Sequence, residues 1–201
     1  MTTTSQTTRP LTKRPLWIVG SLILLFGIPL LLATWLWVEH KPLSAYTTNH
    51  GQLIQPPLDL AKLKLTSGDQ ADWQSHWLLL YVNPRACDAQ CEKTLYNLRQ
   101  VRTATGKDMD RVARAILYFT NDAKRQQLLN TEYAGTLSLT TSQQQLAQWL
   151  QTTPSKDATL QTGGIYIVDP LGNVMMYYPL DAPAMGMFKD LTRLLKLSHI
   201  G

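Results

Sequence analysis

Cysteine is scarce in this chain, with two among 201 residues. Cys87 and Cys91 stand four apart in Cys-Asp-Ala-Gln-Cys, so neither sulfur has another partner within the chain. The pair is either a reversible disulfide or a thiolate metal clamp. Histidine is limited to His40, His50, His76 and His199, none beside the cysteines in sequence. Acidic residues are missing from the start of the chain, where Glu39 is the first. No repeat or low-complexity tract is present, which favours a single core. Basic clusters are lacking too. Of 19 Lys and Arg, Arg9, Lys13 and Arg14 precede residue 16, leaving 16 against 14 acids in the remainder. A surplus of two scattered charges is no electrostatic footprint for nucleic acid, which is excluded as a partner.

Charge of either sign is also absent from Leu16 to Val38, 23 residues in all. A run of that length can cross a bilayer. Trp17, Trp35 and Trp37 stand near its ends, where amphipathic rings favour the headgroup region, and Pro29 is tolerated in such a helix. A cleaved signal peptide has a shorter apolar region and a small-residue cleavage site, whereas this run ends Trp-Leu-Trp-Val. The basic residues ahead of it place the N-terminus in the cytoplasm and the C-terminal part across the membrane. The expected organisation is a cytoplasmic tail over 1–15, a transmembrane helix over 16–38, a linker over 39–57 that includes Pro56-Pro57, and one domain over 58–201.

Within that domain, the apolar run His76 to Val82, closed by Asn83-Pro84, suits a strand buried on both faces. Cys87, Cys91, Thr94, Leu95, Leu98 and Val101 recur with helical period, and Gly106 ends the segment. Both sulfurs are thus expected on the inward face of one helix. Ala115–Thr120 reads as a second strand, Asp122 to about Tyr133 as a helix, and Thr136–Thr140 as a weaker strand. Ser142 and Gln145 have the spacing of a capping box opening a helix with Leu146, Trp149 and Leu150 on its apolar side. Ile165–Val168 and Val174–Tyr178 flank the turn Asp169-Pro170-Leu171-Gly172-Asn173 and form a hairpin. Asp181 and Pro183 open a last helix, with Phe188, Leu191, Leu194 and Leu195 facing the core. The order is that of an α/β layered domain.

A helix that follows the first central strand and carries cysteines at its start matches a thioredoxin-like arrangement. The residues Asn-Pro-Arg-Ala-Cys-Asp-Ala-Gln-Cys after a strand, with the later Ile-Tyr-Ile-Val-Asp-Pro-Leu-Gly-Asn-Val, resemble the Sco/SenC family over roughly Trp77 to Leu195. That family comprises membrane-anchored, thioredoxin-fold proteins that assist copper-site assembly in cytochrome c oxidase. The resemblance implies a thioredoxin-like domain behind a single N-terminal transmembrane helix, in the periplasm at a bacterial inner membrane. It implies copper as cargo, and a cytochrome oxidase subunit or another copper-assembly protein as partner. It also implies a third copper ligand, a histidine shortly before the hairpin; that place is held by Gln161 or its neighbours Leu160 and Thr162.

Two thiolates are soft ligands that select copper(I) and hold it without an imidazole. As a redox pair, Cys87 and Cys91 need only each other, although a bond between two helical positions four apart is expected to distort the first turn. Cys87, nearer the helix start and Arg85, is expected to be the more thiolate-like and Cys91 the resolving sulfur. Asp88 and Glu92 oppose this. Met175, Met176, Met185 and Met187 read as core filling; adjacent Met175 and Met176 should face opposite sides of their strand. His50 and His76 read as surface or loop residues. Three functions remain open: copper(I) delivery by Cys87 and Cys91, thiol-disulfide reduction of a partner's cysteines, and a non-catalytic scaffold. A peroxidase site is a poor match to Asn83-Pro84-Arg85.

Overall fold

The computed structural model describes residues 16–38, 48–67, 73–152 and 163–198, without the side chains at 16, 19, 36–38, 150 and 152. Two compact units divide between Thr48 and Asn49. The first contains helix α1, Leu16–Val38, with Pro29 inside it. At about 1.5 Å per residue its 23 residues extend about 35 Å. Trp17, Ile23, Phe26, Leu30 and Trp35 are all exposed. Side chains are described continuously only over 20–35, and on the described residues no helix is long and apolar enough to cross a membrane. A transmembrane helix over 16–38 is thus an expectation from composition alone.

The second unit is built on seven strands: β1 Gln52–Asp59, β2 Thr66–Ser67, β3 Trp77–Asn83, β4 Val112–Tyr118, β5 Thr136–Thr140, β6 Gly164–Val168 and β7 Asn173–Tyr178. Their spatial order is β1-β7-β6-β3-β4-β5-β2. β3 lies at the centre, parallel to β4 and antiparallel to β6. All seven of its residues are buried, which explains why the run is apolar without alternation. The helices are α2 Ala89–Ala104, α3 Ala123–Asn130, α4 Gln143–Thr152 and α5 Ala184–Leu197.

Alternation along β3 divides the core between the two faces of the sheet. Trp77, Leu79 and Tyr81 pack with Leu95, Leu98 and Val101 of α2, Leu128 and Leu129 of α3, and Leu191 and Leu195 of α5. Leu78, Leu80 and Val82 pack on the other face with Leu58, Leu60, Leu146 and Trp149. The Trp149 indole donates to the Asp59 carbonyl at 3.0 Å, tying α4 to the end of β1. The capping box forms as its spacing predicts. Ser142 Oγ accepts from the Gln145 amide at 3.1 Å, and Gln145 Oε1 accepts from the Ser142 amide at 3.4 Å.

Two expectations are corrected. Residues 52–57, expected as linker, belong to β1. Its pairing with β7 slips between Leu53 and Leu58, where Pro56 and Pro57 supply no N–H, a defect tolerated only at a sheet edge. The second correction concerns Met175 and Met176. β7 is bulged against β6 where Val174 pairs Val168 and Met176 pairs Ile167. The extra residue breaks the alternation, and both methionines pack on the α2–α5 face. His50 is an exposed loop residue, as expected, and it also binds Asp190. Its ring and amide lie 3.0 and 2.7 Å from the Asp190 carboxylate, which also accepts from the Gly51 amide at 3.0 Å and the Tyr178 hydroxyl at 2.8 Å. Asp190 is buried; burial by itself would raise its pKa, but these donors bring it below the ordinary range.

Candidate functional site

Asn83 closes β3, and its side-chain oxygen accepts from the Arg85 amide at 3.2 Å, turning the chain out of the sheet. Asp88 then has an extended backbone, and its carboxylate accepts from the Cys91 amide at 2.9 Å, capping α2. The helix begins at Ala89. Cys91 is thus its third residue, while Cys87 lies in the loop one residue before the cap. This corrects the expectation that both sulfurs sit on helical positions. The two Cα atoms are 5.2 Å apart and the sulfurs are bonded, an approach reached without distortion of the helix because Cys87 is free of helical geometry. Cys87 is 6% exposed and Cys91 1%, so both residues are buried, the helical one more deeply, as its place in sequence suggested.

The surroundings of Cys87 come from the neighbouring strand. β3 and β4 run parallel with Asn83 opposite Tyr118, so the segments following both strands leave from the same end of the sheet. Asp122 caps α3 with one oxygen, accepting from the Lys124 amide at 3.0 Å. Its other oxygen accepts from the Cys87 amide at 2.5 Å. The Cys87 amide is the main cause holding the Asp122 carboxyl below its usual pKa, aided by the Lys124 amide and Arg125 against the opposing effect of burial.

Arg125 is 1% exposed. Its guanidinium donates to the Thr120 carbonyl at 2.8 Å and the Arg85 carbonyl at 2.7 Å, lies 4.5 Å from the Tyr118 ring centroid, and has one nitrogen 3.9 Å from Asp122. Burial lowers its pKa, with Asp122 the largest opposing influence. Arg85 was expected to supply positive charge near Cys87. Its side chain is exposed, and the buried cation of this loop is Arg125. Tyr81, in the same apolar cluster as both cysteines, has its phenol pushed up to about 12, first by burial and then by Asp88; it is neutral at physiological pH.

Asp122 and Arg125 were missed in the sequence because neither is near the cysteines along the chain. The signal was topological: a parallel partner strand must deliver its following loop beside Cys87. On the other side, Gly163 has φ +95°, and a Cβ there would lie 3.0 Å from Pro84 Cδ and 3.1 Å from the Val82 carbonyl. The turn into β6 therefore passes against the cysteine loop. Leu160, Gln161 and Thr162, the place where a histidine was sought, lie outside the described residues, as do His40 and His199. His76 precedes β3 at the end of the strand opposite the cysteine loop, and His50 is engaged with Asp190. Among the described residues no group of three His, Cys, Asp or Glu side chains could hold a metal ion. Met187 and Met176 are buried in the cluster that contains the cysteines, whereas Met185 is exposed.

Solved structures share the architecture. The apo Sco1 protein of Thermus thermophilus is 17% identical, with 75% of this chain and 99% of that one covered, at a TM-score of 0.52. Copper-bound ScoI of Arabidopsis thaliana is 11% identical, with 71% and 98% covered, at 0.52. A thioredoxin-like protein of Porphyromonas gingivalis is 11% identical, with 70% and 94% covered, at 0.50. At such identities these likenesses show the mixed α/β thioredoxin-like fold. No curated protein matches the chain. Residues 77–198 match the family model described as "Transmembrane-like, thioredoxin-like, C-terminal domain". That match runs from the first residue of the central strand through the last described residue and takes in both cysteines, so the chain belongs to this family of thioredoxin-like domains.

Proposed function

We propose that the chain is a Sco-like assembly factor for a respiratory cytochrome oxidase that exchanges thiol and disulfide with a partner's cysteines through Cys87 and Cys91. The observation that carries this reading is the bonded pair itself, with one sulfur in a loop and the other held in a helix. In the reduced protein, the Cys87 thiolate attacks one sulfur of a partner disulfide, and the partner's second sulfur leaves as a thiolate and takes up a proton. Cys91, having lost its proton, then attacks the Cys87 sulfur and displaces the partner's first sulfur. Two electrons pass to the partner, which leaves as a dithiol, and Cys87–Cys91 becomes the disulfide. An external dithiol donor must reduce it again. Asp122 and Arg125 hold the loop that presents Cys87.

Copper(I) delivery is the second reading, favoured by the soft dithiolate that reduction creates and by the architecture shared with a copper-bound ScoI. The donor set suits copper(I) as cargo in the reduced state. A three-ligand copper(II) site has no support among the described residues. In both readings α1 anchors the protein in a bacterial inner membrane, with residues 1–15 cytoplasmic and the domain periplasmic. The partner is an oxidase subunit or another copper-assembly protein.

The test uses the full chain in detergent, wild type beside Cys87→Ser and Cys91→Ser. A reversible two-electron couple, lost in both variants, supports exchange; its absence from the wild type refutes it. Stoichiometric copper(I) binding by the reduced wild type, abolished in Cys87→Ser, supports delivery. If both measurements are negative while a double Cys→Ser variant still supports oxidase assembly, the chain is a scaffold.

A further inference from the structure

At the end of the sheet away from the cysteines, donors accumulate without acceptors. Arg114, in β4, is 6% exposed. One of its terminal nitrogens donates to the Ala134 carbonyl at 3.0 Å. Its Nε and its other terminal nitrogen are buried with no partner, as is the Trp77 indole nitrogen. Trp77 lies opposite Val112, and Leu79 opposite Arg114. The strand alternation therefore puts the indole and the guanidinium on the same face, as diagonal neighbours. Three unmet donors thus belong to adjacent strands at one end of the sheet. Buried polar groups in native proteins are ordinarily satisfied, and an unpaired buried cation is the costliest exception.

Further positive charge lies beside them. Burial is the main influence lowering the Arg114 pKa, and the nearby charges of Arg102 and Arg99 lower it further. Arg102 donates through Nε to the Val112 carbonyl at 2.6 Å. Its outer nitrogen reaches Asp110 only at 4.0 Å, and the Asp110 side chain is 93% exposed. Arg99 donates to the Glu132 carbonyl at 2.9 Å and lies over the Tyr96 and Tyr133 rings. A hollow of about 240 Å³ opens here, lined by His76, Arg102, Asp110, Arg114 and Gly135 among others. Its one carboxylate stands on the rim.

We propose that this hollow binds a small oxyanion, phosphate or carboxylate, between Arg114 and Arg102. The anion supplies the acceptors that Arg114 lacks and offsets the repulsion between the two guanidinium groups. Its entry requires a small outward turn of Arg114, whose unmet nitrogens are sealed from solvent. Asp110, the only acid lining the hollow among the described residues, competes with the anion for Arg102. Nothing in this site depends on the chemistry of Cys87 and Cys91.

The test is titration of the full chain in detergent with sodium phosphate, and in parallel with sodium acetate, against sodium chloride at equal ionic strength. Heat of binding and the thermal unfolding midpoint are both read. The expected result is saturable binding of one anion, weakened about tenfold or more by Arg102→Gln, since a charge-assisted hydrogen bond is lost. Asp110→Asn, at an exposed position that tolerates change, should tighten it severalfold. Tighter binding of phosphate identifies a tetrahedral dianion as the ligand class, and tighter binding of acetate a carboxylate. Titration indistinguishable from chloride overturns the proposal, because the unmet donors then hold water. Equal binding by wild type, Arg102→Gln and Asp110→Asn overturns it as well.

Discussion

Replacing Asp122 by alanine removes one carboxylate that performs two tasks, accepting the Lys124 amide at the start of α3 and the Cys87 amide in the loop. Loss of a helix cap costs about 1 kcal/mol. A hydrogen bond to a charged acceptor contributes about 1.5–3 kcal/mol. Both groups are partly open to water, which takes over some of each bond, and effects sharing one side chain do not add fully. The expected loss is about 2–3 kcal/mol, or roughly 5–10 °C in the unfolding midpoint of a domain this size. Asp122→Asn keeps an oxygen acceptor and should lose about half as much.

The loss should also depend on redox state. When the disulfide is formed, Cys87 is already tied to Cys91; after reduction, the Asp122 carboxylate and the Arg125 contact to Arg85 are what hold the loop. Asp122→Ala should therefore destabilise the reduced protein by about 1 kcal/mol more than the oxidised one, moving the couple roughly 20 mV more negative. Removal of a negative charge near Cys87 favours the thiolate and acts in the opposite direction, so about 20 mV is the upper figure for the shift. Urea unfolding in the presence and absence of reductant measures both effects. Wild-type midpoints in both states, within about 0.5 kcal/mol, would refute the assigned role, because only an unimportant surface contact behaves that way.

Two further outcomes follow from the structure. Asp122 and Asp190 both have folded-state pKa values below the ordinary carboxylate value, so their contribution is fully present above about pH 4 and is lost as pH falls through the lowered values. Stability measured by urea unfolding should decline from about pH 4 downward, and Asp122→Asn should flatten that decline; an unchanged slope in the variant would remove Asp122 from the account. Gly163→Ala forces a side chain onto φ +95° and within 3.1 Å of the Val82 carbonyl. It should cost at least about 1–2 kcal/mol and alter the rate at which Cys87 reacts with a thiol reagent after reduction; wild-type values of both would show that the turn and the cysteine loop are independent.

The strands and helices of the second unit were largely legible because burial imposes strict patterns. β3 has no charged or amide side chain before Asn83, and the Ser142–Gln145 pair announces α4 at its first turn. β1 was not legible, since its two prolines are the signature of a linker unless a neighbouring strand is known to leave them at an edge. The helical spacing of Cys87 with Cys91, Thr94 and Leu95 was real, yet Asp88 has a stronger claim to the cap than Cys87 has to the helix. Periodicity alone could not weigh the two. Cys87 and Cys91 were identifiable from their scarcity. Asp122 and Arg125 were hidden because their closeness to the loop arises from strand order, which one sequence does not print. The bulge that turns Met175 and Met176 to one face likewise depends on pairing with β6 and leaves no mark in the local sequence.

Under the proposed exchange, the boundary between Cys87 and the capped helix divides the bonded pair into a loop sulfur and a helix-held sulfur. Cys91 is anchored by a helix whose cap, Asp88, does not involve either sulfur, so opening the bridge leaves α2 intact. Rearrangement on exchange is then expected in the few residues between Pro84 and Asp88, the part of the pair that lies outside the helix. A partner that distinguishes the oxidised from the reduced protein must therefore read that short segment, and its recognition surface must reach across to the start of α3, where Asp122 grips the same loop.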